Sequence, residues 1–354
     1  MTLLQRLGRR PFFIRLLHWE YWSFNQVYGW VLPIWALLAL RARSFFFFAA
    51  ANPTIENGGF LMESKKKIYD LMPPSFYPAT LFFRAGTPLP ALLSQMEQQQ
   101  FTYPVIAKPD VGGQGRGVKK INHDADLAAY AEQSLVDWLL QVYVDYPLEI
   151  GVFYYRLPGE DCGRVSGIVG KELLAVTGDG ESDLLTLLQA DPRHILQVEA
   201  LKRDLGEGLY DVPAAGERRE LVPYGNHARG AKFLDYSHLA DDEFVRSIDT
   251  ICRQVPGFYF GRLDIRYQSW EDLKAGNNFS IIELNGAGSE PTHMYDPRHG
   301  LFFAWKEIVR HWLLLFRISR LNHDNGVPYL SHRDGMALMK ANKDFERKMK
   351  EQYG

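Results

Sequence analysis

Apolar and polar positions along the chain fall into short blocks whose period changes. The run Ser44-Phe45-Phe46-Phe47-Phe48-Ala49-Ala50-Ala51 reads as a short buried strand, ended by Asn52-Pro53 and followed by a tight Gly58-Gly59 loop. Met62–Leu71 reads as a helix stopped by Pro73-Pro74, and Leu89–Gln100 as another. Tyr103–Lys108 and Val118–Ile121 are predicted strands on either side of a glycine loop. The helix Asp124–Gln133 follows, then strands Leu139–Val144 and Leu148–Tyr155 across a Pro147 turn. Val165–Val169 and Leu173–Val176 read as an antiparallel pair, and Asp183–Ala190 as a short helix. Residues 194–222 have no clear period and read as loop and short helix. Asp241–Gln254 is a helix with acidic residues at its start, as the macrodipole favours. Gly261–Gln268 and Phe279–Leu284 alternate as paired strands joined by polar Ser269–Asn278. Leu301–Ile318 is an aromatic amphipathic stretch, and the charged tail beyond Ser331 reads as a solvated helix. The whole is a mixed α/β (α+β) pattern.

A chain of 354 residues suggests two or three structural units. The expected segments are 1–43, 44–100, 101–156, 157–325 and 326–354. A net charge of −2 provides no basic field for nucleic acid, and Cys162 and Cys252 alone exclude a disulfide-rich scaffold or an all-thiolate zinc site. The first fifty residues differ from the rest. Arg6, Arg9, Arg10 and Arg15 precede His18-Trp19-Glu20-Tyr21-Trp22, and an apolar or small stretch, interrupted by Pro33, runs from Val27 to Leu40. Fourteen helical residues reach only about 21 Å, short of a bilayer core of roughly 30 Å. Arg41 and Arg43 stand where a signal peptide needs small residues, so neither a simple span nor export is expected. Two readings of segment 1–43 stand: a helix buried in a core or dimer interface, or a monotopic anchor with aromatics at the headgroups and arginines toward anionic lipid. The expected location is cytoplasmic, with the anchor reading placing the chain peripherally on the inner membrane face.

Two segments carry candidate chemistry. In Lys108-Pro109-Asp110-Val111-Gly112-Gly113-Gln114-Gly115-Arg116-Gly117, a strand delivers a lysine to a glycine-rich loop. Gly112, Gly113, Gly115 and Gly117 let backbone N–H groups approach phosphate oxygens, and Lys108 supplies a fixed positive charge. No Lys-Ser or Lys-Thr pair follows, so this is not a Walker A loop, and a strand rather than a helix comes next, so it is not a dinucleotide fingerprint. In Gly261-Arg262-Leu263-Asp264-Ile265-Arg266 and Ile281-Ile282-Glu283-Leu284-Asn285, alternation puts Arg262 with Asp264 and Glu283 with Asn285. If the two faces coincide, three oxygen-bearing side chains and an arginine converge, a set suited to magnesium and a transferring phosphoryl group.

Together these segments resemble the ATP-grasp superfamily over roughly residues 60–295, with a pattern similar to the D-alanine–D-alanine ligase and cyanophycin-synthetase-like branches. The resemblance implies a nucleotide held between two α+β subdomains, here behind an atypical aromatic-rich amino-terminal region. It implies that Lys65 and Lys108 contact nucleotide phosphates, and that Gln141, Tyr143 and Val144 form a hinge reading the adenine edge. Glu149 would bind ribose, Asp264, Glu283 and Asn285 would hold Mg²⁺ (Mn²⁺ as an alternative), and Arg262 would stabilise a phosphorylated intermediate. Thr177-Gly178-Asp179-Gly180 is similar to a Gly-Asp-Gly segment of the cyanophycin-synthetase-like proteins. Lys171 and Asn226-His227-Ala228-Arg229-Gly230 lie where related enzymes bring basic groups near the γ-phosphate. The serine-rich loop typical of D-alanine–D-alanine ligases is replaced by Gly112-Gly113-Gln114, a departure that counts against D-alanine as substrate and leaves an amino acid or small peptide as what the resemblance implies.

The implied activity is an ATP-dependent, ADP-forming carboxylate–amine ligase acting through an acyl phosphate on small-molecule substrates. His293 is a candidate base. The competing expectation keeps the fold but makes the chain a kinase or a nucleotide-binding regulator at a membrane surface. A homodimer is compatible with the exposed aromatics expected near the amino terminus.

Overall fold

A computed structural model describes residues 10–353 apart from 114, 223, 224, 226, 228 and 229. Arg6, Arg9, Gln114, Asn226, Ala228 and Arg229, singled out above, lie outside the described residues. The strands are β1 (Thr80–Phe83), β2 (Val105–Pro109), β3 (Lys119–Ile121), β4 (Trp138–Val142), β5 (Leu148–Tyr155), β6 (Arg164–Glu172), β7 (Ala175–Thr177), β8 (Arg218–Glu220), β9 (Lys232–Asp235), β10 (Phe260–Tyr267) and β11 (Phe279–Asn285). Two compact units each draw on three separated stretches of chain, so the five expected segments do not map onto them one to one.

The larger unit comprises Pro33–Ile168, Tyr236–Pro291 and Val309–Gly354. Its first sheet is antiparallel, in the order β1-β4-β2-β3. Alternation decides which side chains meet the helices. Val105 and Ala107 of β2 and Trp138 and Leu140 of β4 join Leu92, Met96, Leu127 and Tyr130, from helices Leu89–Gln98 and Asp124–Gln133, in one core. Lys108 and Gln141, one residue out of phase, point to the opposite face. The second sheet places β10 between β11 and β5, with β6 beyond β5. Here Leu263 and Ile265 of β10 and Ile150 and Val152 of β5 bury against Phe244, Ile248 and Ile251 of helix Asp242–Arg253. Arg262, Asp264 and Arg266 take the other face for the same reason.

Phe46–Phe48 are buried as expected, Phe45 is exposed, and the run is not a strand: Phe47–Ala50 form a 3₁₀ turn. A short apolar run without alternation does not distinguish the two. Asn52 decides the geometry. Its buried side chain donates to the Phe260 and Gly58 carbonyls at 2.8 and 2.9 Å and accepts from the Tyr259 and Phe260 amides at 2.9 and 3.0 Å. One side chain thus does at the start of β10 what a neighbouring strand would do. Phe46, Phe47 and Phe48 pack with Trp35, Phe153, Phe260, Leu315 and Ile318.

Gly59 lies at φ +73°, and a Cβ there would approach Gly286 Cα to 2.7 Å. Gly58 and Gly59 accept from the amides of Ala287 and Gly288 at 2.9 and 2.8 Å, fixing the backbone just beyond Asn285. The expected helix Met62–Leu71 is shorter, Lys65–Tyr69, with Ser64 as its N-cap.

The smaller unit comprises Met1–Leu32, Val169–Asp235 and Thr292–Ile308. The expected pairing of Val165–Val169 with Leu173–Val176 is overturned. The second half of β6 pairs with β9, and β7 pairs with β8. Alternation identifies a strand without naming its partner, and Leu174 and Val176 are drawn into a core with Leu184, Leu188, Leu201 and Leu221. Asp179 of the Gly-Asp-Gly segment closes a turn: its carboxylate accepts from the Ser182 and Glu181 amides and the Ser182 hydroxyl at 2.7, 2.9 and 2.7 Å. These bonds hold its pKa down to about 2. Among the described residues, no helix is long and apolar enough to cross a membrane.

Candidate active site

In the larger unit, β2 and β11 come from different sheets and meet through Lys108. Its Nζ donates to Tyr69 Oη and Gln141 Oε1, both at 2.8 Å, and to the Ile282 carbonyl at 3.0 Å. Lys108 is 7% exposed. Burial pushes its pKa down to about 8, against the opposing pull of Glu283.

The Ile282 carbonyl is available because the β10–β11 register shifts at Asp264/Ile265. Asp264 faces Glu283 but Ile265 faces Ile281, leaving Ile282 as an extra residue. The same carbonyl accepts from Tyr69 Oη at 2.6 Å. Tyr69 lies four residues after Lys65, so both side chains leave one face of the short helix. Lys65 Nζ is 3.5 Å from Glu283 Oε1 and also donates to the Gly112 carbonyl. Asp110 braces this helix start: its carbonyl and carboxylate accept from the Lys65 and Lys66 amides at 3.0 and 2.8 Å.

The two acidic faces coincide. Across the antiparallel pair Asp264 is opposite Glu283, and Arg262 opposite Asn285. Arg262 grips Asp264 through two bonds, Nε–Oδ1 at 2.9 Å and Nη2–Oδ2 at 3.2 Å, and donates to the Glu290 carbonyl at 3.3 Å. Burial opposes the guanidinium charge, but Asp264 outweighs it and the Arg262 pKa is raised. Glu63 adds a further carboxyl whose pKa burial raises, near enough to Lys65 and Glu283 to feel both charges. Asp264, Glu283 and the Asn285 amide oxygen form an all-oxygen donor set of the kind magnesium takes. The Asn285 amide nitrogen is buried without a hydrogen-bond partner, so this side chain is not committed to the protein framework. The residues therefore fit a hard divalent cation, although among the described residues no group of three His, Cys, Asp or Glu is assembled for one.

Gln141 lies in β4 with ladder neighbours on both sides, Thr80 and Ile106, and its amide nitrogen donates to Thr80 Oγ1 at 2.8 Å. Its structural work is to orient Lys108, and it has no free backbone edge for a base. Tyr143 and Val144 follow the end of β4. Arg266 reaches this connection, donating to the Val144 and Tyr146 carbonyls at 3.4 and 3.3 Å, and sits 3.4 Å from Glu149. Lys120 Nζ stacks 3.9 Å above the Tyr143 ring. Lys171 belongs to the smaller unit, on β6 opposite Phe233. His293, also in that unit, is 3% exposed and 3.2 Å from Glu307.

Sequence reasoning missed Tyr69, Asp110, Glu63 and Arg266. The spacing of Tyr69 from Lys65 and of Arg266 from Asp264 was the available signal.

Gly112, Gly115 and Gly117 all have positive φ, as a tightly turning loop requires. The carboxy-terminal segment His332–Tyr353 is a helix with most positions exposed, as expected, and one side of it packs on this loop. Arg116 pairs with Glu346, and added Cβ atoms at Gly112 and Gly117 would meet Phe345 at 3.4 Å and Tyr353 at 2.9 Å. Gln352 and Lys348 bond the Gln133 and Leu135 carbonyls at 2.7 and 2.5 Å. These contacts are polar or made to glycine, so hydropathy does not reveal them. Replacing Phe345 and Glu346 by alanine is expected to speed tryptic cleavage after Arg116 by about fivefold or more, because local opening sets cleavage. Mass spectrometry of a limited digest reads the outcome; unchanged cleavage would mean the helix does not brace the loop.

No protein-family model and no curated protein matches the chain. Solved structures do. A D-alanine–D-alanine ligase from Bacillus anthracis is 11% identical with a TM-score of 0.42, over 74% of this chain and 69% of that one. The VanG D-Ala:D-Ser ligase from Enterococcus faecalis is 14% identical with a TM-score of 0.40, over 72% of this chain and 61% of that one. A bifunctional glutathione synthetase from Pasteurella multocida is 14% identical with a TM-score of 0.35 over 69% of this chain, which spans 35% of that enzyme's length.

Proposed function

We propose that this protein is an ATP- and divalent-cation-dependent carboxylate–amine ligase that releases ADP. The observation that carries the reading is the convergence in one unit of Lys65, Lys108, the glycine loop and the Asp264–Glu283 pair. Lys65 spans Glu283 and the Gly112 carbonyl, tying the acidic strands to the loop. Two lysines and an arginine beside carboxylates, next to a glycine-rich loop, suit a triphosphate better than any uncharged ligand.

In this reading a substrate carboxylate oxygen attacks the γ-phosphorus, the bond to the β-phosphate oxygen breaks, and ADP departs. The amine nitrogen then attacks the acyl carbon, the bond from that carbon to the phosphate oxygen breaks, and the departing phosphate takes up the proton that the nitrogen releases as the amide forms. Asp264, Glu283 and Asn285 would hold the cation, which supplies charge neutralisation on the phosphates. Lys108 is held by Tyr69 and Gln141 in one orientation, so its charge is placed before substrate arrives. Arg262 stands opposite Asn285 to meet charge on the transferring group. A braced glycine loop keeps water from the acyl phosphate.

The test is ATP turnover in Mg²⁺ with pooled carboxylates and amines, separating ADP plus phosphate from AMP plus pyrophosphate. Substrate-dependent ADP and phosphate with an amide product is the expected result. ADP with a stable phosphorylated product would make the protein a kinase, and nucleotide binding without turnover would make it a regulator.

A further inference from the structure

Helix Leu32–Ala42 buries Trp35, Leu38 and Ala39, with Trp35 edge-on to Trp312 at 5.1 Å. Its outward side is apolar too: Leu37 and Leu40 are 59% and 73% exposed, and Phe45, just beyond, is 53% exposed. Arg41 and Arg43 stand exposed among them. Within Val309–Asp324, the part of the long helix in the same unit, His323 and Asp324 are exposed at the helix end, and before them the exposed positions are Arg310, Leu313, Arg317 and Arg320. Their spacing of three and four residues makes one stripe. Arg310 also donates to the Ser166 carbonyl at 3.3 Å, and Arg320 lies 3.9 Å from Asp324.

Within Leu32–Ala42 and Val309–Asp324, the outward-facing acid is Asp324 alone, at the end of the long helix beside Arg320. No Asp or Glu occurs from Leu32 to Ile55, or from Ile308 to His323, in a chain with 42 acids and 40 basic residues. Cations are therefore segregated onto an apolar surface against the overall balance of the molecule. The smaller unit repeats the composition, with Phe12, Leu17, Trp30 and Phe302 from 69% to 83% exposed.

We propose that this arginine-studded apolar face of the larger unit docks on an anionic lipid bilayer. Arginine stems lie along apolar surface while their guanidinium groups reach phosphate, and leucine and phenylalanine enter the acyl boundary. Charge complementarity selects this occupant. A second copy meeting the same face across a two-fold axis would set arginines against arginines, which is repulsive. With no helix among the described residues able to span, the contact is peripheral. The proposal does not depend on the nucleotide-site reading, and none of these residues belongs to that site.

The experiment floats the full chain with vesicles of phosphatidylcholine alone and of phosphatidylcholine with phosphatidylglycerol, at low and high salt. Two variants accompany it, Arg41→Glu/Arg317→Glu/Arg320→Glu and Leu37→Ser/Leu40→Ser/Leu313→Ser, whose melting curves verify folding. At least about tenfold more protein should float with the anionic vesicles, and high salt should reverse the gain. Both variants should lose it. Failure to float with anionic vesicles, or equal flotation of wild type and the charge-reversal variant, would overturn the proposal. So would a concentration-dependent dimer, seen by light scattering and broken by the leucine variant, in a protein that does not float.

Discussion

Asp264→Asn should lower both stability and turnover, and a second variant should separate the two. The substitution leaves the buried Arg262 guanidinium with the Glu290 carbonyl at 3.3 Å in place of a two-bond carboxylate partner. Breaking one half of such a pair costs about 3 kcal/mol. Removing a carboxylate from the oxygen set should also cut divalent-dependent ATP turnover by about 10²–10³-fold. Replacing both partners, Arg262→Met with Asp264→Leu, removes the stranded charge and should restore most of the stability without restoring turnover. Urea unfolding followed by circular dichroism reads the first effect and ADP release the second. If the single variant keeps wild-type stability and turnover, the pair is neither structural nor part of the site.

Lys108→Met should weaken ATP binding by about 100-fold, the loss expected when a charge-assisted contact to phosphate disappears. Stability should change little, because the lost bonds to Tyr69 and Gln141 are offset by no longer burying an ammonium. The pH dependence is more diagnostic. Lys108 has a pKa of about 8 in the fold, against 10.5 for an ordinary lysine. Between those values the unfolded chain holds a proton that the folded chain has released, so stability rises with pH across this window, by up to about 3 kcal/mol in total. Nucleotide affinity runs the opposite way: phosphate needs the ammonium, so affinity falls as pH climbs through about 8. Titration calorimetry and urea unfolding of wild type and Lys108→Met from neutral to alkaline pH test both slopes by difference. Identical profiles in the two proteins would remove Lys108 from the site.

These expectations rest on residues that differ in how readable they were. Lys108, Asp264 and Glu283 were legible because a charged residue among apolar neighbours in a strand has one face to occupy. The helix Asp124–Gln133 and strand β5 were legible because turn residues bound them and their composition suits each element. Phe46–Phe48 were legible as buried but not as a 3₁₀ turn, since the deciding contact is Asn52 with β10, about two hundred residues away. Partner choice was equally hidden: β6 and β7 look like a hairpin, yet each pairs elsewhere.

The sequence by itself determined the shared faces of Arg262 with Asp264 and of Glu283 with Asn285, and where the glycine loop lies. Local alternation and turn chemistry act within a few residues, so they can be read from a few residues. Tertiary structure decided the rest. It set the Asp264–Glu283 register and the bulge that offers the Ile282 carbonyl to Lys108 and Tyr69. It also decided the seating of the carboxy-terminal helix on the glycine loop. Each of these is a contact between residues far apart in the chain, chosen by packing and hydrogen-bond satisfaction once the elements are assembled, and no local pattern encodes such a choice.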